Sequence, residues 1–315
     1  MSGTIGVSIQ AFSAADFVAQ VQQAEVAGVP VAWTTIGGAG GADPLTAAAA
    51  ALVQTDRIRV GTAIVPTWPR HAVALAAQAL TLHQIAPGRL RLGIGPSHEP
   101  SMVATYGVEW RKPLQNLREY LEALRSLFTT GAVDMDGTHV RAHARWREPA
   151  DIELLASALR PKSFELCGEL TDGALSWMCP RSYLIDRALP ALQSGAAQAG
   201  RSVPPLIAHV PFFVSEDREA ARDLARKQLG NYARVPFYRA MFNEAGFDVD
   251  DNGYSDALLD DLVVSGTEAQ VIAGLRRYLD DGCGEVLAAP LLDPADREGS
   301  IARALAAVAA AHRAT

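Results

Sequence analysis

Two short apolar runs, separated by one helix-length of chain, constrain this 315-residue sequence more than any other feature. The first is Gly61-Thr-Ala-Ile-Val-Pro-Thr-Trp-Pro-Arg-His71 and the second is Gly88-Arg-Leu-Arg-Leu-Gly-Ile-Gly-Pro-Ser-His98. Each reads as a buried strand that runs out into turn-forming and polar residues, and the apolar stretch 72–85 between them reads as a helix. A strand–helix–strand unit makes its two strands parallel, so both strand ends emerge on one edge of the sheet. Trp68, His71, Ser97 and His98 are therefore expected around one mouth, on the edge where parallel α/β folds place ligands.

The same unit recurs along the chain. Strands are expected over 4–10, 29–33, 58–65, 90–94, 152–156, 173–177, 205–214 and 284–292. Between them, helical spacing covers 14–27, closed by Gly28, and a helix opens at Asp43 with Pro44 in its first position. Further helices are expected over 72–85, 113–128, from Lys162, over 183–199, from Ser215 and over 297–313. Residues 131–140 read as a hairpin because Asp136-Gly137 sits between alternating apolar residues. Eight strands alternating with helices predict an α/β chain folded as a (β/α)8 barrel, a single domain over 1–315. Residues 231–264 break the alternation and read as an Asp-rich, helical insertion after the seventh strand, placed to act as a lid.

Composition narrows the partners. Hydrophobic residues make up 49% of the chain, ample for a large core, and a formal charge of −7 argues against a nucleic-acid partner while allowing a local basic pocket. Cys167, Cys179 and Cys283 are widely spaced with no C-x-x-C pair, which suits free thiols in a reducing cytoplasm and provides no metal knuckle. No basic region followed by an apolar run opens the chain, and no apolar stretch is long enough to span a membrane. No H-x-H, H-E-x-x-H or G-x-S-x-G pattern points to a metal site or a serine hydrolase.

His98 is the first candidate for chemistry. It follows the fourth strand behind Gly93, Gly95 and Pro96, where a flat ligand can approach the backbone and an imidazole can carry a proton near neutral pH. A loop histidine bonded only to backbone is the alternative, and Glu99 is the neighbouring acid. Ser157-Ala-Leu-Arg-Pro-Lys162 lies where a strand meets a helix, so Ser157, exposed N–H groups, Arg160 and Lys162 form a candidate anion grip. Arg70 opposes the dipole of the helix that it precedes, and so reaches elsewhere, to an anionic ligand or a surface carboxylate. Gly37-Gly-Ala-Gly-Gly41 lacks the lysine and spacing of a phosphate-cradling loop and reads as a mobile connection. Gly93-Ile-Gly-Pro-Ser-His departs from a dinucleotide fingerprint after its second glycine.

In order along the chain, Gly61-Thr-Ala-Ile-Val-Pro, Pro87-Gly-Arg-Leu-Arg-Leu-Gly-Ile-Gly-Pro-Ser-His98, Lys112-Pro-Leu with Leu117-Arg-Glu-Tyr, and Phe164-Glu-Leu-Cys-Gly-Glu resemble the bacterial luciferase-like family of flavin- and deazaflavin-dependent oxidoreductases. The resemblance runs from the first strand to at least Asp172. It implies that His98 abuts the reactive face of a cofactor ring, that Ala63-Ile64 forms a cis-peptide bulge propping the ring, and that Trp33 and Thr35 flank it. Many relatives carry a glycine where Arg160 stands, so the cofactor phosphate here is expected to meet a side chain. Thr34-Thr35-Ile36 departs from the acidic and histidine residues of the sugar-phosphate dehydrogenase branch.

The implied cofactor is the 8-hydroxy-5-deazaflavin coenzyme (coenzyme F-420) or FMN, and the implied reaction is hydride transfer to or from a small organic substrate. An FMN-dependent two-component monooxygenase fed by a separate flavin reductase is the alternative within the family. Gly-Pro-Ser-His and Lys112-Pro-Leu lie closer to the deazaflavin members. The family also implies a homodimer. Val235, Pro236, Phe237, Tyr238, Met241 and Phe242 point to a partly hydrophobic substrate other than a sugar. A barrel lyase or isomerase gripping a phosphorylated substrate between His98 and the Ser157–Lys162 turn is a reading from another class, as is a non-catalytic flavin-binding relative.

Overall fold

Parallel pairing runs through eight strands and returns to its start. The strands are β1 (Thr4–Ser8), β2 (Val31–Thr34), β3 (Arg59–Thr62), β4 (Leu90–Gly95), β5 (Glu153–Ala158), β6 (Gly173–Ser176), β7 (Leu206–Val214) and β8 (Glu285–Pro290). Each pairs with the next, and β8 pairs with β1 in the register Thr4↔Glu285 to Val7↔Ala288. This computed structural model describes residues 3–35, 40–249 and 253–315, and within them the chain is a closed (β/α)8 barrel. The connection expected over 37–41 lies outside the described residues except for Gly40 and Gly41.

Capping follows the sequence. Ser13 accepts from the Asp16 N–H to open the helix Ala14–Ala27, and Gly28 closes it at φ 86°. Asp43 accepts from the Thr46 N–H to open Pro44–Val53. Other elements differ in extent. The expected third strand is interrupted: the Ala63–Ile64 peptide is cis, and pairing resumes as Val65–Pro66 against Ile94 and Gly95. The hairpin is longer than expected, with strands Ala132–Asp136 and Arg141–Arg145 around a turn closed by the Gly137 N–H and Val140 C=O. A helix Glu99–Tyr106, unforeseen in the sequence, starts one residue after His98.

After β7 the chain forms Arg218–Leu229, capped by Asp217 rather than Ser215, then a 3-10 turn Gly230–Arg234 and helices Pro236–Glu244 and Asp256–Leu262. Val264–Gly266 then adds a short parallel strand to the end of β7, and Glu268–Asp280 leads into β8.

Strand alternation sorts side chains between two cores. Leu90, Leu92 and Ile94 of β4 face the helices, as do Leu154 and Ala156 of β5 and Val286 and Ala288 of β8. The intervening positions point inward, where Val31, Trp33, Ala63, Ile64, Leu155, Leu175, Ile207, Leu287 and Ala289 form a second cluster. Below this cluster lies Arg91, with no solvent exposure. Its guanidinium is held by Glu153 at 2.7 and 2.5 Å and by Glu285 at 2.5 and 2.9 Å, and lies 4.9 Å from the Trp33 ring centroid. Arg59 adds a contact to Glu153 at 3.6 Å.

Replacing Arg91 by methionine leaves the part-buried carboxylates of Glu153 and Glu285 with Arg59 as the remaining neighbouring cation. Breaking one side of such a cluster costs about 3–5 kcal/mol, whereas replacing all charged partners together costs far less. Arg91→Met is therefore expected to lower the unfolding free energy by that amount, read as a lower denaturant midpoint at constant m-value, and Arg91→Met/Glu153→Gln/Glu285→Gln to recover most of it. Equal losses in both variants would remove the clamp from the account of stability.

Candidate active site

The C-terminal mouth of the barrel opens into a cavity of about 590 Å³. Thr35, Ala63, Ile64, Ser157 and Leu175 supply its barrel side, and Pro96, Ser97, His98 and Glu99 continue it beyond β4. Gly95 faces Ser157 so closely that a Cβ there would overlap the Ser157 hydroxyl, which keeps this wall thin. Ser97 adopts φ 63°, turning the chain so that His98 can cap the next helix with its backbone while its ring enters the cavity. The outer wall is aromatic: Trp110, Trp177, Tyr232, Phe237 and Tyr238.

His98 sits in a box made by the insertion. Its ring centroid lies 5.9 Å from that of Tyr232 and 5.7 Å from those of Phe237 and Tyr238. Nε2 lies 3.3 Å from the Tyr238 hydroxyl. Burial lowers the imidazole pKa, because the charged form loses hydration without gaining a carboxylate. Burial likewise raises the phenols of Tyr232 and Tyr238. Glu99 is exposed in the first turn of the helix that follows.

Arg160 is the one arginine or lysine among the described residues lining this cavity. It pairs with Glu244 of the insertion, yet its Nε is buried with no hydrogen-bond partner. Ser163 forms the turn beside it, accepting from the N–H groups of Leu159 and Arg160 at 3.0 and 3.1 Å. The donor set suits a flavin or deazaflavin with a phosphate tail. The aromatic-walled cavity includes the turn that carries Ser157, Arg160 and Ser163, and that arginine has an unsatisfied donor.

Several expected residues are elsewhere. Trp33 is fully enclosed in the barrel, where a Cβ at Gly61 would overlap its ring, so it supports the cavity from below without lining it. Arg70 donates to Asp43 at 2.6 Å and does not reach the cavity, because a helix-capping carboxylate from the preceding unit is nearer. Lys162 is exposed on the helix Pro161–Leu170 and lines nothing here. Trp68 stands behind Trp110, centroids 5.0 Å apart. His71 caps its own helix and meets the Arg141 carbonyl oxygen at 2.9 Å.

A second cavity of about 560 Å³ shares Thr35 and Trp177 with the first and is lined by the ends of β1, β7 and β8. His209, 3% exposed, stacks on Trp177 at 3.8 Å between centroids and 27° between planes. Trp177 in turn donates from Nε1 to the Tyr232 hydroxyl at 2.8 Å. Sequence reasoning passed over Trp110, Trp177, Ser163, Tyr232 and His209. The alternation of β7 held a signal for the last, since Ile207, His209 and Pro211 share the inward parity.

The luciferase-like monooxygenase family model matches residues 2–284. The chain belongs to that family. It is 29% identical over 179 residues to the 5,10-methylenetetrahydromethanopterin reductase of Methanolobus tindarius, a match covering 55% of this chain and 54% of that one. The chain thus aligns with about half the length of this relative. An F420-dependent secondary alcohol dehydrogenase, solved with an F420-acetone adduct, superposes at TM-score 0.79 and 20% identity over 96% of both chains. The oxygenating constituent of 3,6-diketocamphane monooxygenase of Pseudomonas putida, solved with FMN, gives TM-score 0.75 and 17% identity over 98% of this chain and 96% of that one. At these identities the structural likeness is one of fold. No helix among the described residues is long and apolar enough to cross a membrane.

Burial holds the His209 imidazole neutral, its pKa pushed down from 6.5 to about 3. The unfolded chain takes up this proton near pH 6.5 and the folded chain does not. His209 therefore adds stability that is complete above pH 6.5 and declines as pH falls toward 3, by up to about 1.4 kcal/mol per pH unit. The difference in unfolding free energy between wild type and His209→Gln, followed from pH 7 to pH 4, is expected to shift in the variant's favour as pH falls. A constant difference would mean that the folded protein protonates His209 like the unfolded one.

Proposed function

We propose that this member of the luciferase-like family is an oxidoreductase. It holds a phosphate-bearing deazaflavin or flavin in the first cavity and moves a hydride to or from a small organic substrate. The supporting observation is the trough itself: the Ala63–Ile64 bulge on one side, aromatic rings on the other, and at its end the buried Nε of Arg160 without a partner. When bound, the ring supplies the hydride chemistry or, as FMN, the activation of oxygen. The chain orients it, excludes water and manages protons.

Ala63, Ile64 and Ser157 would hold the ring from the barrel side, with Thr35 of the shared wall between the two cavities beside them. His98, kept neutral by burial, accepts or returns a proton at Nε2, with the Tyr238 hydroxyl as its neighbour. Exposed Glu99 adds negative potential at the lip. Tyr232, Phe237 and Tyr238 give the 231–264 insertion the role of a lid that excludes water from the reacting centre. Coenzyme F-420 is the favoured cofactor because Gly95-Pro-Ser-His98 and Lys112-Pro-Leu resemble the deazaflavin members. An FMN enzyme would need a separate flavin reductase. A homodimer in a reducing cytoplasm completes the proposal, in keeping with three buried free thiols.

Tryptophan-fluorescence titration with coenzyme F-420 and FMN, and with their phosphate-free counterparts, tests the cofactor. Wild type is expected to prefer one phosphate-bearing form. Arg160→Met is expected to weaken that form at least tenfold, about 1.4 kcal/mol, and to leave the phosphate-free ring unchanged. Glu244→Gln, which frees Arg160, is expected to tighten it several-fold. Failure of the wild type to bind any of them would sink the redox reading.

His98→Gln is expected to keep cofactor affinity within a few-fold and to lower kcat by about 10²–10⁴, the usual worth of a positioned proton carrier. Unchanged turnover would assign His98 to packing alone.

A further inference from the structure

Two phenols press on the His98 imidazole, and they are not equivalent. The Tyr232 hydroxyl already accepts from Trp177 Nε1 at 2.8 Å, and its ring meets His98 edge-on at 84°. The Tyr238 hydroxyl lies 3.3 Å from His98 Nε2 and has no other protein partner among the described residues. Tyr238 is 4% exposed, and a phenol buried to that depth normally keeps a hydrogen-bond partner. Its ring is well fixed: centroids lie 4.8 Å away in Tyr232, 4.9 Å in Phe237 and 6.4 Å in Phe242. All four rings belong to the insertion after β7, whereas His98 follows β4.

The contact can be made in two senses. If Nε2 carries the ring proton and donates it, the phenolic proton is left in a buried place without an acceptor. If Tyr238 donates, the phenolic proton is satisfied and the ring proton sits on Nδ1. That nitrogen has no protein partner among the described residues, but it belongs to a half-buried ring that lines the cavity. The second sense leaves fewer buried donors unmet and is the one the site favours. Burial settles the charges as well: it lowers the imidazole and raises the Tyr238 phenol, so the resting pair holds neither imidazolium nor phenolate.

We propose that Tyr238 stands between His98 and the substrate: its hydroxyl donates to Nε2, keeps the ring proton on Nδ1, and is the group that exchanges a proton with the reacting centre. Both side chains line the first cavity. When a substrate is oxidised, its heteroatom-bound proton passes to the Tyr238 oxygen as the phenolic proton passes to Nε2. The substrate's hydride goes to the oxidised deazaflavin or flavin, so one proton and one hydride leave it and His98 ends as imidazolium. Reduction runs the same transfers backwards. No phenolate is formed at any point, in keeping with the raised phenol. The relay joins β4 to the insertion and is complete only while the insertion is seated over the cavity. Its reacting role rests on the reading of the first cavity as the cofactor's, whereas the bond from Tyr238 to His98 does not.

Protein labelled with nitrogen-15 at histidine, without cofactor, tests the bond directly. His98 is assigned by the imidazole signals lost in His98→Gln. At pH 8 the wild type is expected to show a protonated Nδ1 and an unprotonated, hydrogen-bonded Nε2. Tyr238→Phe keeps the ring and removes only the hydroxyl, and is expected to move the Nε2 resonance away from its hydrogen-bonded position. An Nε2–H tautomer in the wild type, or an Nε2 resonance indifferent to Tyr238→Phe, would overturn the proposal. In the turnover assay that scores His98→Gln, Tyr238→Phe is expected to lose the same factor of about 10²–10⁴ in kcat, with KM and cofactor affinity within a few-fold. The double variant is expected to lose no more than either single one, because both break one relay. Losses that multiply, or a Tyr238→Phe enzyme as fast as wild type, would take the hydroxyl out of the proton path. A protein with the Nδ1–H tautomer that binds neither flavin nor deazaflavin keeps the bond and loses the relay together with the redox reading. One that binds cofactor and carries the Nε2–H tautomer keeps the redox reading and loses the proposal.

Discussion

The clamp of Arg91 between Glu153 and Glu285 sets the terms on which this barrel is filled. Eight parallel strands enclose an interior just wide enough for layers of side chains. The three charged residues come from β4, β5 and β8, so their bonds tie strands on opposite sides of the ring. A guanidinium cannot be buried unless most of its donors are met, and here two carboxylates meet them while Trp33 covers its face. Trp33 in turn fits only because the inward positions beside it are Gly6 and Gly61. Large groups thus fill the base and middle, and small ones (Gly95, Ala63, Ser157, Ala289) are left for the top. The opening at the C-terminal mouth is the complement of that distribution.

What closes over the opening is aromatic rather than charged. Tyr232, Phe237 and Tyr238 surround His98 and place it in a medium that disfavours its cation, and burial does the same to His209 more completely. A charged network stands beside them, in which Arg222 and Arg226 bind Asp256 and Asp260 and hold Arg218–Leu229 to Asp256–Leu262. Charge ties these helices together, while the residues that the insertion gives to the cavity wall, Tyr232, Phe237 and Tyr238, carry none. Arg160 is the point where the two regimes meet: it lines the cavity, yet pairs with Glu244 across its lip.

The barrel was legible because its signals are local. Strand alternation, the Ser13, Asp43 and Gly28 caps, and the placement of turn residues after β4 depend on neighbours within a few positions. The cluster around His98 was legible in part, because proximity along β4 delivers Ser97, His98 and Glu99 together. Depth and pairing were not. Trp33 lies on the inward face but one layer below the cavity, a fact decided by glycines on β1 and β3. Arg70 finds Asp43 from another strand–helix unit, and only the folded arrangement shows that this carboxylate is nearer than any ligand. His209 has the parity of an inward residue, but its tautomer depends on a backbone N–H from β6's end. The Glu99–Tyr106 helix was visible in principle, since Glu99-Pro100 is a good helix start, but its eight residues carry too short a periodic pattern to stand out.

Trp177 links the parts that the sequence kept separate. Its indole N–H is held by Tyr232 of the insertion, its face is covered by His209 of β7, and its two sides border the two cavities. An indole held at both edge and face has little freedom to adjust, so the wall between the cavities is fixed by three elements at once. Any displacement of the insertion that carries Tyr232 away removes the edge restraint, and any change at His209 removes the stacking partner. The shape of the second cavity and the seating of the insertion over the first are therefore not independent properties. A substitution in either place has to be judged by its effect on the position of this one side chain as well as by the contact it removes.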